Sequence, residues 1–355
     1  MTGQTAQMKQ AMSTFDRLQR PLKDLRLSVI DKCNFRCPYC MPKEVFGKDY
    51  PFLPHAQLMS FDEMQKMARA FVGLGVEKIR ITGGEPLLRK NIEHLIESLA
   101  RLRTPDGRNV SVSMTTNGVL LASRAQGLKD AGLERVTVSL DSLDDRIFRQ
   151  MNDVGIGVKS VLDGIATACR VGLAPVKVNT VVQKGLNDGQ ILPIAEHFRY
   201  SGVTVRFIEY MDVGGATHWR SDSVLPSGQV RALIEQQHPL LAEPLRRASD
   251  TARTYRYADG GGEVGFISSV SEPFCGDCSR ARISADGRLF TCLFANRSLD
   301  LRPMLAEHVS PEALMTSIAD AWERRDDQYS EWRGEQYREH GRKKYPTVRM
   351  SLVGG

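Results

Sequence analysis

Six of the seven cysteines fall into two triplets, Cys33-x3-Cys37-x2-Cys40 near the start and Cys275-x2-Cys278-x13-Cys292 near the finish. Each offers three thiolates where a closed four-coordinate metal site takes four. Each therefore suits a cubane iron–sulfur cluster that keeps one iron for an exchangeable ligand, which means chemistry rather than scaffolding. A structural zinc site prefers paired Cys-x2-Cys knuckles with a fourth protein ligand, and Asn34, Phe35, Arg36 and Tyr39 supply none. An ordinary electron-transfer cluster would use a fourth cysteine. Cys169, alone in the apolar stretch Ile165 to Val171, reads as a buried small hydrophobe.

The elements that must position these groups follow a regular rhythm. Strand-like β-branched runs cover Leu25 to Ile30, Lys78 to Thr82, Val110 to Thr115, Arg135 to Leu140, Val176 to Val182 and Thr204 to Glu209. Between them lie segments of helical period: Phe61 to Leu74 with Ser60 as its N-cap, Asn91 to Leu102, Leu121 to Asp130, Val158 to Val171 and Ile191 to Tyr200. Repeated strand–helix alternation predicts a parallel sheet with helices outside. Nearly every strand runs into a polar or glycine-bearing cluster, among them Gly83-Gly84-Glu85-Pro86, Thr115-Thr116-Asn117-Gly118 and Glu209-Tyr210-Met211-Asp212. Chemistry gathered at strand ends favours a partial (β/α) barrel with its site at the C-terminal mouth.

Past Gly214 the rhythm breaks. A helix is expected over Ser227 to Gln236, with strands over Thr254 to Tyr257 and Glu263 to Ser269. A hairpin joins Ala281 to Ile283 with Arg288 to Cys292 across Asp286-Gly287, and a charged helix runs from Pro311 to Trp332. The expected division is an N-terminal arm (1–20), the partial barrel (21–214), a C-terminal extension carrying the second cluster (215–343) and a tail (344–355) that ends in Gly354-Gly355. The 48 basic against 42 acidic residues give +6, an excess that suits a small anionic substrate. No basic run is interleaved with aromatics, so a nucleic-acid role is not expected. No apolar run is long enough for a membrane span and the first twenty residues lack a signal-peptide core, so a cytoplasmic chain with reduced cysteines is expected.

Cys33-Asn34-Phe35-Arg36-Cys37-Pro38-Tyr39-Cys40, with Gly83-Gly84-Glu85-Pro86 after the next strand, resembles the radical S-adenosylmethionine superfamily. The glycines would let backbone approach the cofactor's amino group. Further motifs (Leu25 to Ser28, Met114 to Gly118, Ser139 to Leu143, Asn179 to Val182, Phe207 to Gly214, and Phe274 to Arg282) narrow the resemblance to the GTP 3′,8-cyclase family of molybdenum-cofactor biosynthesis. That resemblance implies two 4Fe-4S clusters, the first on Cys33, Cys37 and Cys40 for S-adenosylmethionine, the second on Cys275, Cys278 and Cys292 for the guanine of GTP. It assigns Tyr39, Gly84, Ser139 and Met211 to S-adenosylmethionine, and Arg26, Arg80, Thr115, Lys177, Arg280, Ala281 and Arg282 to GTP. Arg26, Arg280, Arg282 and the Gly354-Gly355 tail take catalytic positions.

Several converging cations are what a desolvated triphosphate needs, arginine above all. In isolation an arginine on a strand is an edge or surface residue, and both readings stay open for Arg206. The resemblance further implies a reductant protein such as flavodoxin or ferredoxin and a downstream cyclic pyranopterin monophosphate synthase, and it leaves a homodimer open. Two rival readings remain: a radical enzyme that modifies a peptide with the help of an auxiliary cluster, and a non-enzymatic cluster-bearing electron carrier or zinc-stabilised binding module.

Overall fold

A computed structural model describes residues 14–213, 219–332 and 348–354. Six strands form its centre: β1 (Asp24–Ser28), β2 (Lys78–Thr82), β3 (Ser111–Thr116), β4 (Arg135–Ser139), β5 (Lys177–Val182) and β6 (Thr204–Glu209). They pair in parallel and in sequence order. Helices α1 (Phe61–Gly73), α2 (Ile92–Ala100), α3 (Leu121–Asp130), α4 (Asp145–Asn152), α5 (Lys159–Arg170) and α6 (Ile191–Phe198) alternate with them. Leu25, Leu27, Ile79, Ile81, Val112, Met114, Val136, Val138 and Val178 are buried in the hydrophobic core shared with the helices. The alternate positions, Arg26, Arg80, Thr115, Thr137 and Lys177, point to the other face, as the period of two requires.

α1 opens with Ser60, whose side chain accepts from Glu63 N while Glu63 caps the Ser60 N–H in return. α4 departs from expectation. Asp144 caps it by accepting from Ile147 N, and Phe148 and Met151 are buried, but at eight residues its periodicity was too short to read.

The sheet continues beyond these six strands. α7 (Ser227–Glu235) leads to β7 (Leu240–Ala242), β8 (Arg253–Tyr257) and β9 (Glu263–Ile267); β9 pairs in parallel with β6, and β8 and β7 follow it antiparallel. β10 (Arg280–Ile283) pairs in parallel with the free edge of β1, with β11 (Arg288–Phe290) and β12 (Leu299–Asp300) beyond it. Twelve strands thus make one sheet, in the order β12-β11-β10-β1-β2-β3-β4-β5-β6-β9-β8-β7.

Two expectations need correction. The charged helix is interrupted after Glu323 and helical backbone resumes at 329–332, because Arg325 and Asp327 turn away to bond elsewhere. Cys169 is exposed on α5 instead of buried; Val161, Ile165 and Ala168 carry that helix's inward face. Among the described residues no helix is long and apolar enough to cross a membrane.

Candidate active site

The first cysteine loop leaves the C-terminal end of β1 and is held by backbone. Gly84 N donates to Ile30 O at 2.7 Å and Glu85 N to Lys32 O at 2.8 Å. A Cβ on Gly84 would fall 2.2 Å from Lys32 O, and one on Gly83 would fall 2.4 Å from Ile30 O. Both glycines are therefore required first for close packing against the chain that enters the cysteine loop, a role distinct from contact with a cofactor. Arg36 braces the loop from within, donating to the carbonyls of Cys33, Phe35 and Phe46.

Glu85 is 1% exposed. It accepts from Leu87 N, Thr116 Oγ1 and Asn117 N, and burial pushes its carboxyl up to about 7 against those three donors. Asn117, not singled out by the motifs, donates to Asn34 Oδ1 at 2.7 Å and lies 3.8 Å from Cys33 Sγ. A glutamine at position 85 would turn an NH2 toward one of those donors. Glu85→Gln is expected to destabilise the protein by about 1–3 kcal/mol despite removing a buried charge. An unchanged melting temperature would show that the donors find other partners.

Near the same end, Tyr39 Oη donates to Asp141 Oδ2 at 2.6 Å. Asp141, raised to about 6 by burial, also accepts from Val181 N. Ser139 ends β4 opposite Asn179 and Met211 follows β6, both half-buried.

The second cysteine set lies at the other end of the sheet. Cys278 precedes β10, which runs parallel to β1, with Asp24 opposite Arg280, so this triplet sits by the N-terminal ends of the strands. The expectation that all the chemistry meets at the C-terminal mouth is therefore revised: the two triplets bracket the sheet from opposite ends. Asp24 to Ser28 is five residues and four steps, about 13 Å of extended chain.

Between the ends runs a row of cations. Arg26 stands opposite Arg282 on one side and Arg80 on the other. Arg80 donates to Thr115 Oγ1 and Thr137 Oγ1, both at 3.1 Å. Arg206 donates to the same Thr137 hydroxyl at 3.3 Å and to Asn179 Oδ1 at 2.9 Å, which resolves the open reading of this residue in favour of the cluster. Burial, then repulsion from neighbouring arginines, lowers the pKa of Arg26, Arg80, Arg206 and Arg282. A guanidinium keeps its proton under such pressure, so the strain amounts to a demand for an anion. Lys177 responds more fully: burial, Arg206 and Arg80 bring it down to about 8. Ala281 pairs with Leu25 and is wholly buried, so its side chain lies on the helix-facing side and only its backbone can meet a ligand.

The tail reaches this interior. Arg349 hydrogen-bonds Tyr50 Oη and lies over the rings of Phe46 and Tyr50, 5.4 and 5.1 Å from their centroids. Met350–Val353 forms a short helix against β1. Gly354 has φ +68°, and a Cβ there would lie 2.2 Å from the side chain of Thr82 at the end of β2, so both conformation and space ask for glycine. Gly355 lies outside the described residues. A cavity of about 440 Å³ opens beside the tail, bounded by Tyr50, Leu53, Asp286 and Leu352; none of the strand-borne cations lines it.

The thiols fit a cluster by their chemistry. Burial raises Cys33 to about 11 and Cys40 to about 12, and each thiolate that forms repels the next. Cys37 is driven further in the same direction, by burial first and then by Asp141. Cys292 rises to about 11, through burial and then Asp327. Cys278 differs: burial opposes ionisation, but Arg280, whose Nη2 lies 3.3 Å from Sγ, and Arg325 hold it at about 6. Such thiols become thiolates when a metal takes the place of the proton. Among the described residues no three His, Cys, Asp or Glu side chains converge closely enough to hold a single metal ion. Thiolates bound to separate irons of one cluster would stand farther apart than the ligands of a single ion.

Residues 27–198 match the Radical SAM superfamily, and residues 203–331 match Molybdenum Cofactor Synthesis C. The GTP 3′,8-cyclase of Xanthomonas campestris pv. campestris is 48% identical over 340 residues, covering 96% of this chain and 97% of that protein. The chain belongs to the GTP 3′,8-cyclase family. Another member of the GTP 3′,8-cyclase family, from Staphylococcus aureus, is 43% identical over 96% of this chain and 98% of its own length. Among solved structures, Streptococcus suis SuiB bound to S-adenosylmethionine superposes with a TM-score of 0.58 at 15% identity, over 89% of this chain and 68% of that one. The likeness to SuiB shows a radical-SAM-type α/β fold with partial-barrel character and a C-terminal domain. The cyclase-family matches carry the more specific relationship.

Proposed function

We propose that this chain converts GTP to 3′,8-cyclo-7,8-dihydro-GTP with S-adenosylmethionine, in the first step of molybdenum-cofactor biosynthesis. The observation that carries the reading is the row Arg282–Arg26–Arg80, set between two cysteine triplets at opposite ends of one sheet. Cys33, Cys37 and Cys40 would hold one 4Fe-4S cluster and Cys275, Cys278 and Cys292 a second. When bound, the first would supply the electron that makes S-adenosylmethionine a radical source, and the second would help to anchor the purine.

The remaining work is positional. Tyr39, Gly84, Ser139 and Met211 frame the cofactor at the C-terminal end. Arg26, Arg80, Arg282 and Lys177, with Thr115, hold the triphosphate, while Arg280 and the Ala281 backbone stand beside the purine end. The Gly354 tail closes the interior, keeping water and stray hydrogen donors from the reacting ribose. A flavodoxin- or ferredoxin-type protein is the proposed reductant, and cyclic pyranopterin monophosphate synthase the proposed consumer of the product. The test is an anaerobic incubation of reduced, cluster-loaded protein with GTP and S-adenosylmethionine. Formation of 5′-deoxyadenosine and the cyclic nucleotide together is expected; 5′-deoxyadenosine that is indifferent to GTP would sink the proposal.

Lys177 gives the reading a pH signature. Its folded pKa, about 8, lies below that of a free lysine, so the unfolded chain binds more protons between the two values. Stability without GTP therefore rises as pH climbs through that window. GTP favours the charged lysine, so binding takes up a proton, and affinity should weaken about tenfold per pH unit above the pKa. Equilibrium dialysis between about pH 7.5 and 9 checks this. Lys177→Arg should flatten the profile, and an unaltered slope in that variant would assign the effect elsewhere.

A further inference from the structure

The segment before β1 carries a buried ion trio that the catalytic reading does not use. Asp16, Arg20 and Arg325 are 2%, 2% and 4% exposed. Asp16 Oδ2 accepts from Arg20 Nε at 2.6 Å and from Arg325 Nη1 at 3.0 Å, so one carboxylate joins residues more than 300 positions apart in sequence. Trp322 Nε1 donates to Arg20 O at 3.1 Å, and the Arg325 guanidinium lies over the Trp322 ring at 4.5 Å.

Outward hydrogen bonds from the two guanidiniums lead to the second cysteine set. Arg20 Nη1 donates to Cys275 O at 2.8 Å and to Asp327 O at 2.8 Å. Arg325 Nη1 donates to Cys278 O at 2.7 Å. Asp327 Oδ2 accepts from Thr291 Oγ1 at 2.6 Å, one residue before Cys292. The segment entering Cys275 is tied from the other side, where Glu209 accepts from Val270 N at 2.7 Å and Ser271 N at 2.8 Å. Cys275, Cys278 and Cys292 come from two loops with little regular structure of their own, and each is fixed through a backbone group or neighbour by the same buried trio. Among the described residues Arg20 Nη2 has no hydrogen-bond partner, and Arg325 Nε has only an ion-pair approach of 3.6 Å to Asp327 Oδ2. A buried ion pair contributes little to stability over an apolar replacement, whereas a fixed register is the use best attested for such groups.

We infer that Asp16, Arg20 and Arg325 are positioning residues for the second cluster: they hold Cys275, Cys278 and Cys292 at the spacing one cube requires. This rests on the proposal that those cysteines bind a cluster. The N-terminal segment from Thr14 is then part of the auxiliary site, although its cysteines lie more than 250 residues away in sequence.

The experiment counts iron and sulfide in anaerobically reconstituted full-length protein and records its electron paramagnetic resonance with and without added S-adenosylmethionine and GTP. Arg325→Gln should lower the content from about eight irons to about four, erasing the GTP-responsive signal and leaving the S-adenosylmethionine-responsive one. Arg325→Lys, which keeps the charge and one donor, should recover part of the loss. Full iron in both variants overturns the inference. So does loss of both signals in Arg325→Lys, since the trio would then serve global stability. Cys278→Ala separates the underlying premise: if it retains all its iron, the cluster assignment fails by itself, and if it alone loses the second set, only the positioning role fails.

Discussion

Arg282→Met is expected to make the protein melt at a higher temperature without GTP while reducing its affinity for GTP by about ten- to a hundredfold. Arg282 is 4% exposed, its Nε has no hydrogen-bond partner, and it faces Arg26 across the strand pair. Burial and the Arg280 charge both disfavour its cationic form. Methionine of similar reach fills the space without the charge, and replacing a poorly compensated buried ion with an apolar side chain stabilises by about 1–3 kcal/mol. Losing the forked contact to phosphate proposed for Arg282 would cost about as much in the bound state, where charge-assisted hydrogen bonds are strongest. Anaerobic thermal unfolding with and without GTP reads both effects: a higher starting temperature and a GTP-induced rise that nearly vanishes. A variant that melts lower and binds weakly would show that Arg282 is structurally satisfied.

The second large effect concerns Gly84. Alanine there would drive a methyl into Lys32 O and the Lys32 carbonyl carbon, 2.2 and 2.5 Å from the ideal Cβ, and neither is a flexible side chain that can step aside. The cysteine loop must lift away, breaking the Gly84–Ile30 and Glu85–Lys32 hydrogen bonds. Gly84→Ala should lose about four irons per chain and all 5′-deoxyadenosine formation, yet still bind GTP through the distant cation row. Gly189, where an added Cβ meets nothing within 4 Å, is the matched control and should be silent as alanine. Full iron content in Gly84→Ala would place the glycine requirement at the cofactor instead.

The six central strands and most of their helices could be read from sequence because burial on one face imposes a period that local composition reveals. Ser60 marked a helix start as a capping residue, and its reciprocal partner Glu63 came from the structure. What could not be read depends on partners distant in the chain. The pairing of β10 with β1 leaves no periodic trace, so the opposite-end placement of the two cysteine triplets emerged only from register. Arg325 looked like one more charge in a long helix; its partners are Asp16 and Cys278 O, which no spacing rule connects. Asn117 and Asp141 lay within recognised strand-end clusters, but their contacts with Asn34 and Tyr39 depend on how two loops meet. The motif glycines were legible as glycines, and their neighbour was not.

The closure of both edges of the central sheet by late-arriving strands has a consequence for synthesis. β1 leaves the ribosome early, but its second neighbour, β10, follows some 250 residues later, and β6 waits for β9. Until then two ribbons of open backbone donors and acceptors face outward, the arrangement that recruits stray strands from other nascent chains. Chains halted near residue 214 should therefore collect in insoluble material, and slow translation through the last third of the message would lengthen the exposure.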